Sequence, residues 1–205
     1  MIEDKQSYLN DLNEAQEKPV LKINGPSMVI AGAGSGKTRV LTYKIVHLIK
    51  NGIDPFEILA LTFTNKAARE MKSRISSMIG DGESKNIWMG TFHSVFAKIL
   101  RFEAHKIGFT SDFTIYDVQD SERLISSIIK EMNLDKDSYR PKTIRNRISS
   151  LKNSFISVNA YFSNSDLTES DKLSKRPKTG DIYKEYSDRL VKSNSMDFDD
   201  LLLKT

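Results

Sequence analysis

The first part of the chain alternates short apolar runs with longer segments in which apolar residues recur every three or four positions. Three short runs predict buried strands, at residues 28–31, 58–63 and 87–89. The longer segments predict helices, at residues 38–50, 66–79 and 92–102. Strands that alternate with helices at this spacing predict an α/β fold with a parallel sheet and crossover helices.

Each predicted strand ends in a polar or glycine-rich segment, at residues 32–37, 64–65 and 90–93. In open parallel sheets, ligands bind at the carboxyl ends of the strands. The pattern therefore predicts that these three segments share one functional edge.

The pattern becomes mainly helical after residue 113. Residues 113–116 predict a further short strand, and three more helices are predicted at residues 120–132, 143–152 and 182–191. Residues 163–180 are polar and weakly patterned, which favours a loop. The stretch 113–180 is therefore interpreted as a helical insertion.

Charge is unevenly placed along the 205 residues, whose formal net charge is +4. Residues 136–178 contain ten Lys or Arg and four Asp or Glu, a local charge of +6. Such segregation is typical of a surface that faces a polyanion, but from charge alone a solvated basic helix face is the favoured interpretation.

Two further properties limit the class of protein. The chain has no cysteine, which excludes a disulfide framework and a thiolate metal site and fits a cytoplasmic location. No apolar run approaches the roughly 18 residues that a membrane span needs, so no membrane partner is expected.

The strongest motif is a phosphate-binding loop (P-loop) at residues 31–38. Glycines let successive N–H groups turn toward one phosphate, and the following helix adds its positive end. Lys37 is expected to reach the β- and γ-phosphates of a nucleoside triphosphate, and the Thr38 hydroxyl to bind Mg²⁺. The loop consists of Ala31, Gly32, Ala33, Gly34, Ser35, Gly36, Lys37 and Thr38.

The P-loop by itself does not distinguish a kinase, a GTPase and a helicase. A GTPase needs an Asn-Lys-x-Asp motif to read its base, and residues 65–68 lack the Asp. No arginine-rich lid typical of small-molecule kinases is evident.

Several segments together resemble the superfamily 1 DNA helicases of the UvrD/PcrA/Rep type. These segments are residues 12–16, the P-loop with Arg39, and residues 61–71, 90–94 and 196–202. Their order and spacing match the N-terminal portion of that family. The resemblance implies a RecA-like P-loop sheet flanked by helices, with a motor domain 1A at residues 1–112 and 181–205. It also implies a mainly helical inserted subdomain 1B at residues 113–180.

The resemblance implies roles for individual residues. Gln16 would read the adenine edge, and Arg39 would stack on the adenine face. The residues expected to hold single-stranded DNA are Phe63, Thr64, Asn65, Lys66, Thr91, Phe92 and His93. In 1B, the candidate phosphate contacts to duplex DNA are Arg140, Lys142, Arg145, Arg147 and Lys152. From the residues alone, Phe63 in the core and Thr64 as a helix cap are the simpler interpretations.

The carboxylates of an ATPase site are not evident in the sequence. Asp117 follows an apolar run, which makes it a rival Mg²⁺ ligand. The acids of residues 197–200 are not preceded by an apolar strand. The resemblance implies that the Asp-Glu pair, the arginine finger and a second motor domain lie beyond Thr205.

The chain is therefore expected to be a fragment of a 3′–5′ helicase that does not unwind DNA by itself, with single-stranded DNA and its junction with duplex as partners. A module that binds nucleotide and DNA without hydrolysis is the alternative.

Overall fold

The computed structural model describes residues 7–205, which divide into two compact units, Met1–Val95 and Phe96–Thr205. The fold is mixed α/β and mostly helical, with a small two-stranded parallel sheet described in each unit. The division into 1A and 1B at residues 113 and 181 stays a prediction. No helix of the described part is both long and apolar enough to cross a membrane.

The first unit places its helices around the parallel pair β1–β2. Leu59 pairs with Trp88, and the register continues to Thr62 and Thr91. Its elements are a 3₁₀ helix (Ser7–Asp11), α1 (Glu14–Leu21), α2 (Lys37–Lys50), a 3₁₀ turn (Pro55–Glu57), β1 (Leu59–Thr62), α3 (Asn65–Ile79), α4 (Asp81–Ser84) and β2 (Trp88–Thr91).

The predicted helices α2 and α3 and the strands β1 and β2 are confirmed, because their apolar residues meet in one core. That core contains Ile45 of α2, Ala60 of β1, and Met71 and Ile75 of α3. Gly80, with φ +88°, ends α3 because a left-handed φ is open to glycine and stops the helical ladder.

The predicted strand at residues 28–31 is wrong for this chain. These residues adopt no strand, and the side chains of Met28 and Ile30 are 83% and 86% exposed. A strand is stabilised by pairing with a neighbour, and no described strand pairs with this segment. The apolar pattern alone could not reveal whether a neighbour exists.

The second unit is a helical cluster with one short parallel pair, β3–β4, in which Ile115 lies opposite Met196. Its elements are α5 (Phe92–Glu103, which begins before the division), a 3₁₀ turn (Ala104–Ile107), β3 (Thr114–Tyr116), α6 (Val118–Glu131), α7 (Pro141–Asn153), α8 (Val158–Ser163), α9 (Ser165–Leu173), α10 (Thr179–Lys192), β4 (Ser195–Asp197) and α11 (Phe198–Leu203).

One apolar core joins α6, α7, α8 and α10, and it includes Ile125, Ile148, Tyr161 and Tyr186. The predicted helices in 113–152 and 182–191 are therefore confirmed. The predicted loop at 163–180 is wrong, because it contains α9 and the start of α10. The side chain of Asn164 caps α9 by accepting from two backbone N–H groups, a polar signal that hydrophobic periodicity does not detect.

A buried ion cluster lies within the second unit. The Lys152 ammonium is 2.8 Å from a carboxylate oxygen of Asp197 and 3.0 Å from one of Asp200, and its side chain is only 3% exposed. The Tyr186 hydroxyl donates to Asp197 at 2.9 Å. Burial alone would lower the pKa of Lys152, but the carboxylates of Asp200 and Asp197 raise it above its ordinary value. The cluster ties α7 to β4 and α11.

Replacing Lys152 with Met should destabilise the second unit by about 3–5 kcal/mol, because two carboxylates would stay buried without their counter-charge. Urea unfolding followed by far-UV circular dichroism measures this change. Lys192→Met, at an exposed position, is the matched control and should change the free energy of unfolding by less than about 0.5 kcal/mol. Equal unfolding midpoints for the two variants would contradict a structural role for the cluster.

Candidate functional site

The side chain of Lys37 reaches back over the P-loop to which it belongs. The Lys37 ammonium donates to the carbonyl oxygens of Ala31 and Gly32, at 2.8 and 2.6 Å. Gly34 and Gly36 have φ values of +76° and +88°, so the chain turns at two positions that glycine adopts without strain. Because an ammonium has three N–H donors, one remains for an anion above the loop. The residues present fit a phosphate group.

A cavity of about 590 Å³ opens beside the P-loop at Gly36. The guanidinium carbon of Arg39 lies 5.9 Å from the ring centroid of Tyr43. The Tyr43 hydroxyl donates to a carboxylate oxygen of Asp11 at 2.9 Å. Arg74 of α3 also lines this cavity. Its size falls within the range of small-molecule sites, and the stacking of Arg39 on adenine stays a prediction of the family resemblance.

Arg74 belongs to no motif, so the sequence analysis missed it. It lies four residues before Met78, which lines the same cavity and packs on the apolar cluster of α1 and α2. Residues four apart on a helix are neighbours on its surface. A helical projection of α3 would therefore have placed Arg74 at the edge of the buried face.

A second cavity, of about 270 Å³, lies on the other side of the P-loop lysine. Lys37 and Thr38 line it from the P-loop, and Phe63 and Thr64 line it from the end of β1. The ring of Phe63 is in turn 5.5 Å from the ring of Phe92, which follows β2. The P-loop, the end of β1 and the start of α5 therefore lie together within the first unit, although no described strand precedes the P-loop.

Phe63 is the most exposed large apolar side chain described, at 92%. Its placement in the core, the simpler interpretation from the residues alone, is wrong. Thr64 does cap a helix, because its hydroxyl accepts from the Ala67 N–H at 3.2 Å and starts α3. Asn65 and Lys66 follow as exposed residues of the first turn. An exposed aromatic ring at the start of a helix can stack on the flat face of another ring, whichever ring that is.

The β2–α5 junction is tightly packed. The Thr91 hydroxyl accepts from the Ser94 N–H at 3.3 Å, so it acts as a cap for α5. A Cβ on Gly90 would lie 2.6 Å from the Ser94 hydroxyl, which explains the glycine. His93 is half-buried on the first turn of α5. The segment thus holds Phe92 in a fixed position beside Phe63.

The five basic residues predicted to contact DNA in the second unit fall into three groups: two are exposed, two face acidic partners and one is buried. Arg140 and Lys142 are exposed at the start of α7. Arg145 lies 3.6 Å from Glu122, and Arg147 donates to the buried carboxylate of Asp171 at 3.1 Å. The prediction for the fifth residue is corrected, because Lys152 is buried in its ion cluster and cannot reach a ligand. Amphipathic spacing placed these residues on one helix without revealing their acidic partners.

Asp117 and Asp197, which the sequence analysis considered as Mg²⁺ ligands, cap helices instead. Asp117 caps α6 by accepting from the Asp120 N–H at 2.8 Å. Asp197 caps α11 in the same way and binds Lys152. Asp197 is the last residue of the three-residue strand β4, which has a single apolar side chain, so no apolar strand precedes these acids, as the sequence indicates. Within residues 7–205, no group of three or more potential ligands could hold a metal ion.

Comparison with known protein families identifies the family of the chain. A family model described as the UvrD/REP helicase N-terminal domain matches residues 12–205. The chain belongs to this family.

Relatives of this UvrD/REP domain include ATP-dependent DNA helicases PcrA from three organisms. The chain is 42% identical to the protein of Bacillus subtilis over 204 residues, 38% to that of Leuconostoc citreum and 39% to that of Staphylococcus aureus. These matches cover 96–98% of the chain but 26% of each relative. The chain therefore spans about a quarter of the length of these relatives.

The UvrD/REP domain fixes its N-terminal segment against α2 through a buried histidine. The Tyr8 hydroxyl lies 2.7 Å from Nδ1 of His47, and the Asn51 side-chain amide contacts the same ring. Burial lowers the pKa of His47, and the nearby charge of Lys44 lowers it further. The neutral ring is therefore the form that the fold favours.

Acidification should weaken this attachment. Because the pKa of His47 is lower in the folded than in the unfolded chain, the unfolded state binds more protons as the pH falls below about 6.5. The free energy of unfolding should then decrease between pH 7.5 and pH 5.5, as measured by urea titration at each pH.

The variant His47→Gln is the control, since it keeps a polar side chain that does not titrate. It should show a smaller loss over the same pH range. If wild type and variant lose stability in parallel, His47 is not the titrating group.

Proposed function

We propose that this chain is the ATP- and DNA-binding N-terminal part of an ATP-dependent DNA helicase. One observation carries the proposal. The Lys37 ammonium, held over the P-loop, lines the same cavity as the exposed ring of Phe63. A phosphate-binding group and a base-stacking group thus lie side by side, as coupling of nucleotide binding to movement on DNA requires.

The nucleotide half of the site follows from these contacts. Backbone N–H groups of residues 31–38 and the third N–H of Lys37 hold the phosphates, and the Thr38 hydroxyl binds Mg²⁺, which supplies positive charge near the phosphates. Arg39 stacks on adenine in the cavity beside Gly36, and Gln16 contacts its edge. Arg74 adds a second cation to the wall of that cavity.

The DNA half begins at Phe63, which stacks on a base of single-stranded DNA with Phe92 behind it. The first turns of α3 and α5, with Thr64, Asn65, Lys66, Thr91 and His93, contact the sugar-phosphate chain. In the second unit, the exposed Arg140 and Lys142 bind phosphates of the duplex at a junction. Movement in the 3′–5′ direction follows the family resemblance.

Hydrolysis needs a metal-binding carboxylate, an oriented water and a cation that stabilises the transition state. The described acids at Asp117 and Asp197 are engaged as helix caps. This chain is therefore proposed to bind ATP, to hydrolyse it poorly and not to unwind DNA. The complete motor is proposed to belong to a longer cytoplasmic protein built around a RecA-like sheet.

The nucleotide assignment is tested by Lys37→Ala. Loss of the ammonium should weaken binding of ATP with Mg²⁺ by about 10- to 100-fold, the usual range for a hydrogen bond to a charged group. Isothermal titration calorimetry measures this affinity. Lys72→Ala, at an exposed position of α3, is the matched control and should leave the affinity unchanged. Equal affinities in both variants and wild type would rule out the P-loop as the binding site.

The DNA assignment is tested by Phe63→Ala. Because the ring is exposed, its removal should leave the melting temperature nearly unchanged but weaken binding of single-stranded DNA by about 1–3 kcal/mol. Fluorescence anisotropy with a labelled oligothymidine measures this affinity. Phe56→Ala, at another exposed aromatic of the first unit, should bind as wild type does. If both variants bind equally well, Phe63 is not a stacking residue.

A further inference from the structure

Both ends of the Gln16 side-chain amide are already engaged. Its carbonyl oxygen accepts from the Asn13 N–H at 3.2 Å, and its NH₂ group donates to the Ser35 carbonyl oxygen of the P-loop at 3.2 Å. The orientation of the amide is fixed by chemistry, since a backbone N–H can only donate and a backbone carbonyl can only accept. Gln16 therefore bridges the start of α1 and the P-loop.

The rest of α1 is held in place, so this bridge is firm. The Asn13 side chain accepts from the Gln16 N–H at 2.9 Å and completes a capping box. At the other end of the helix, the Lys44 ammonium donates to the carbonyls of Pro19 and Val20, each at 3.3 Å. A cation at a helix C-terminus stabilises it through the exposed carbonyl groups.

The hydrogen bond from Gln16 to Ser35 also accounts for the glycine at position 36 of the P-loop. A Cβ on Gly36 would lie 2.6 Å from the NH₂ nitrogen of Gln16, so any other residue would displace the amide. The other hydrogen bonds described for the Ser35 main chain and hydroxyl run to Gly32, within the loop. Gln16 thus connects α1 to the P-loop at Ser35, the residue before Gly36, which caps α2.

The planarity of the peptide bond gives this contact a consequence. In a trans peptide, the carbonyl of Ser35 and the N–H of Gly36 point in opposite directions. Fixing the carbonyl toward Gln16 therefore fixes the Gly36 N–H away from it. Successive N–H groups held in set directions are what a P-loop uses to bind phosphate.

We propose that Gln16 is a positioning residue of the P-loop, which supports phosphate binding whatever base the ligand carries. This inference rests on the proposed function and adds to the adenine contact expected from the family resemblance. The two roles differ in one measurable respect. A residue that only reads adenine affects ATP alone, whereas a residue that orients the loop affects every triphosphate.

The test compares Gln16→Met with wild type by calorimetry, using ATP, GTP and inorganic tripolyphosphate, each with Mg²⁺. Met keeps the length of the side chain but removes both hydrogen bonds of the amide. Affinity for tripolyphosphate should fall about fivefold, the factor expected for one neutral hydrogen bond, and affinities for ATP and GTP should fall at least as much. A loss confined to ATP would overturn the positioning role.

Asn13→Ala is the matched control, because it weakens the cap of α1 but keeps the residue-13 backbone N–H and the Lys44 contacts that hold the Gln16 amide beside Ser35. It should lower the melting temperature while tripolyphosphate binding stays as in wild type. If it weakens tripolyphosphate binding as much as Gln16→Met does, the effect belongs to helix stability and the proposal fails. If wild type binds none of the three ligands, the proposed function itself fails, and this inference fails with it.

Discussion

The conformation of the P-loop in the first unit depends on hydrogen bonds between the Lys37 ammonium and carbonyl oxygens of the same loop. The Lys37 ammonium draws in the carbonyls of Ala31 and Gly32, and thereby closes a loop that has no strand pairing before it. Without that contact, residues 31–36 would have few described interactions to fix them. The positive φ values of Gly34 and Gly36 make the closure free of strain. The same ammonium is the group proposed to contact the phosphates, so closure of the loop and the proposed ligand contact rest on one side chain.

Each of the two units uses a lysine cation to join its elements, in different ways. In the first, Lys44 binds the carbonyls at the end of α1 and so fixes the helix that carries Gln16. In the second, Lys152 lies between Asp197 and Asp200, whose positions at the start of α11 are set by a capping box. Burial raises the pKa of Asp200, while burial and Lys152 act in opposite directions on Asp197, whose pKa falls. Each cluster joins elements that are distant in sequence.

The sequence was sufficient wherever a local pattern determines the structure. The period of apolar residues in α2, α3 and α6 correctly predicted those helices. It was insufficient where the answer depends on a distant partner. Nothing near Lys152 indicates its carboxylates 45 and 48 residues away, and nothing near Phe63 indicates that its strand ends at the surface. The polar helix α9 was missed for a related reason, because its cap at Asn164 and its buried Asp171 carry no hydrophobic signal.

The segment around Met28 and Ile30 has a practical consequence. It presents apolar side chains and unpaired backbone groups to water, which is the chemistry by which strand edges of separate molecules join. Met28 and Ile30 are therefore the positions of this segment at which a polar replacement would remove exposed apolar surface without changing a P-loop residue.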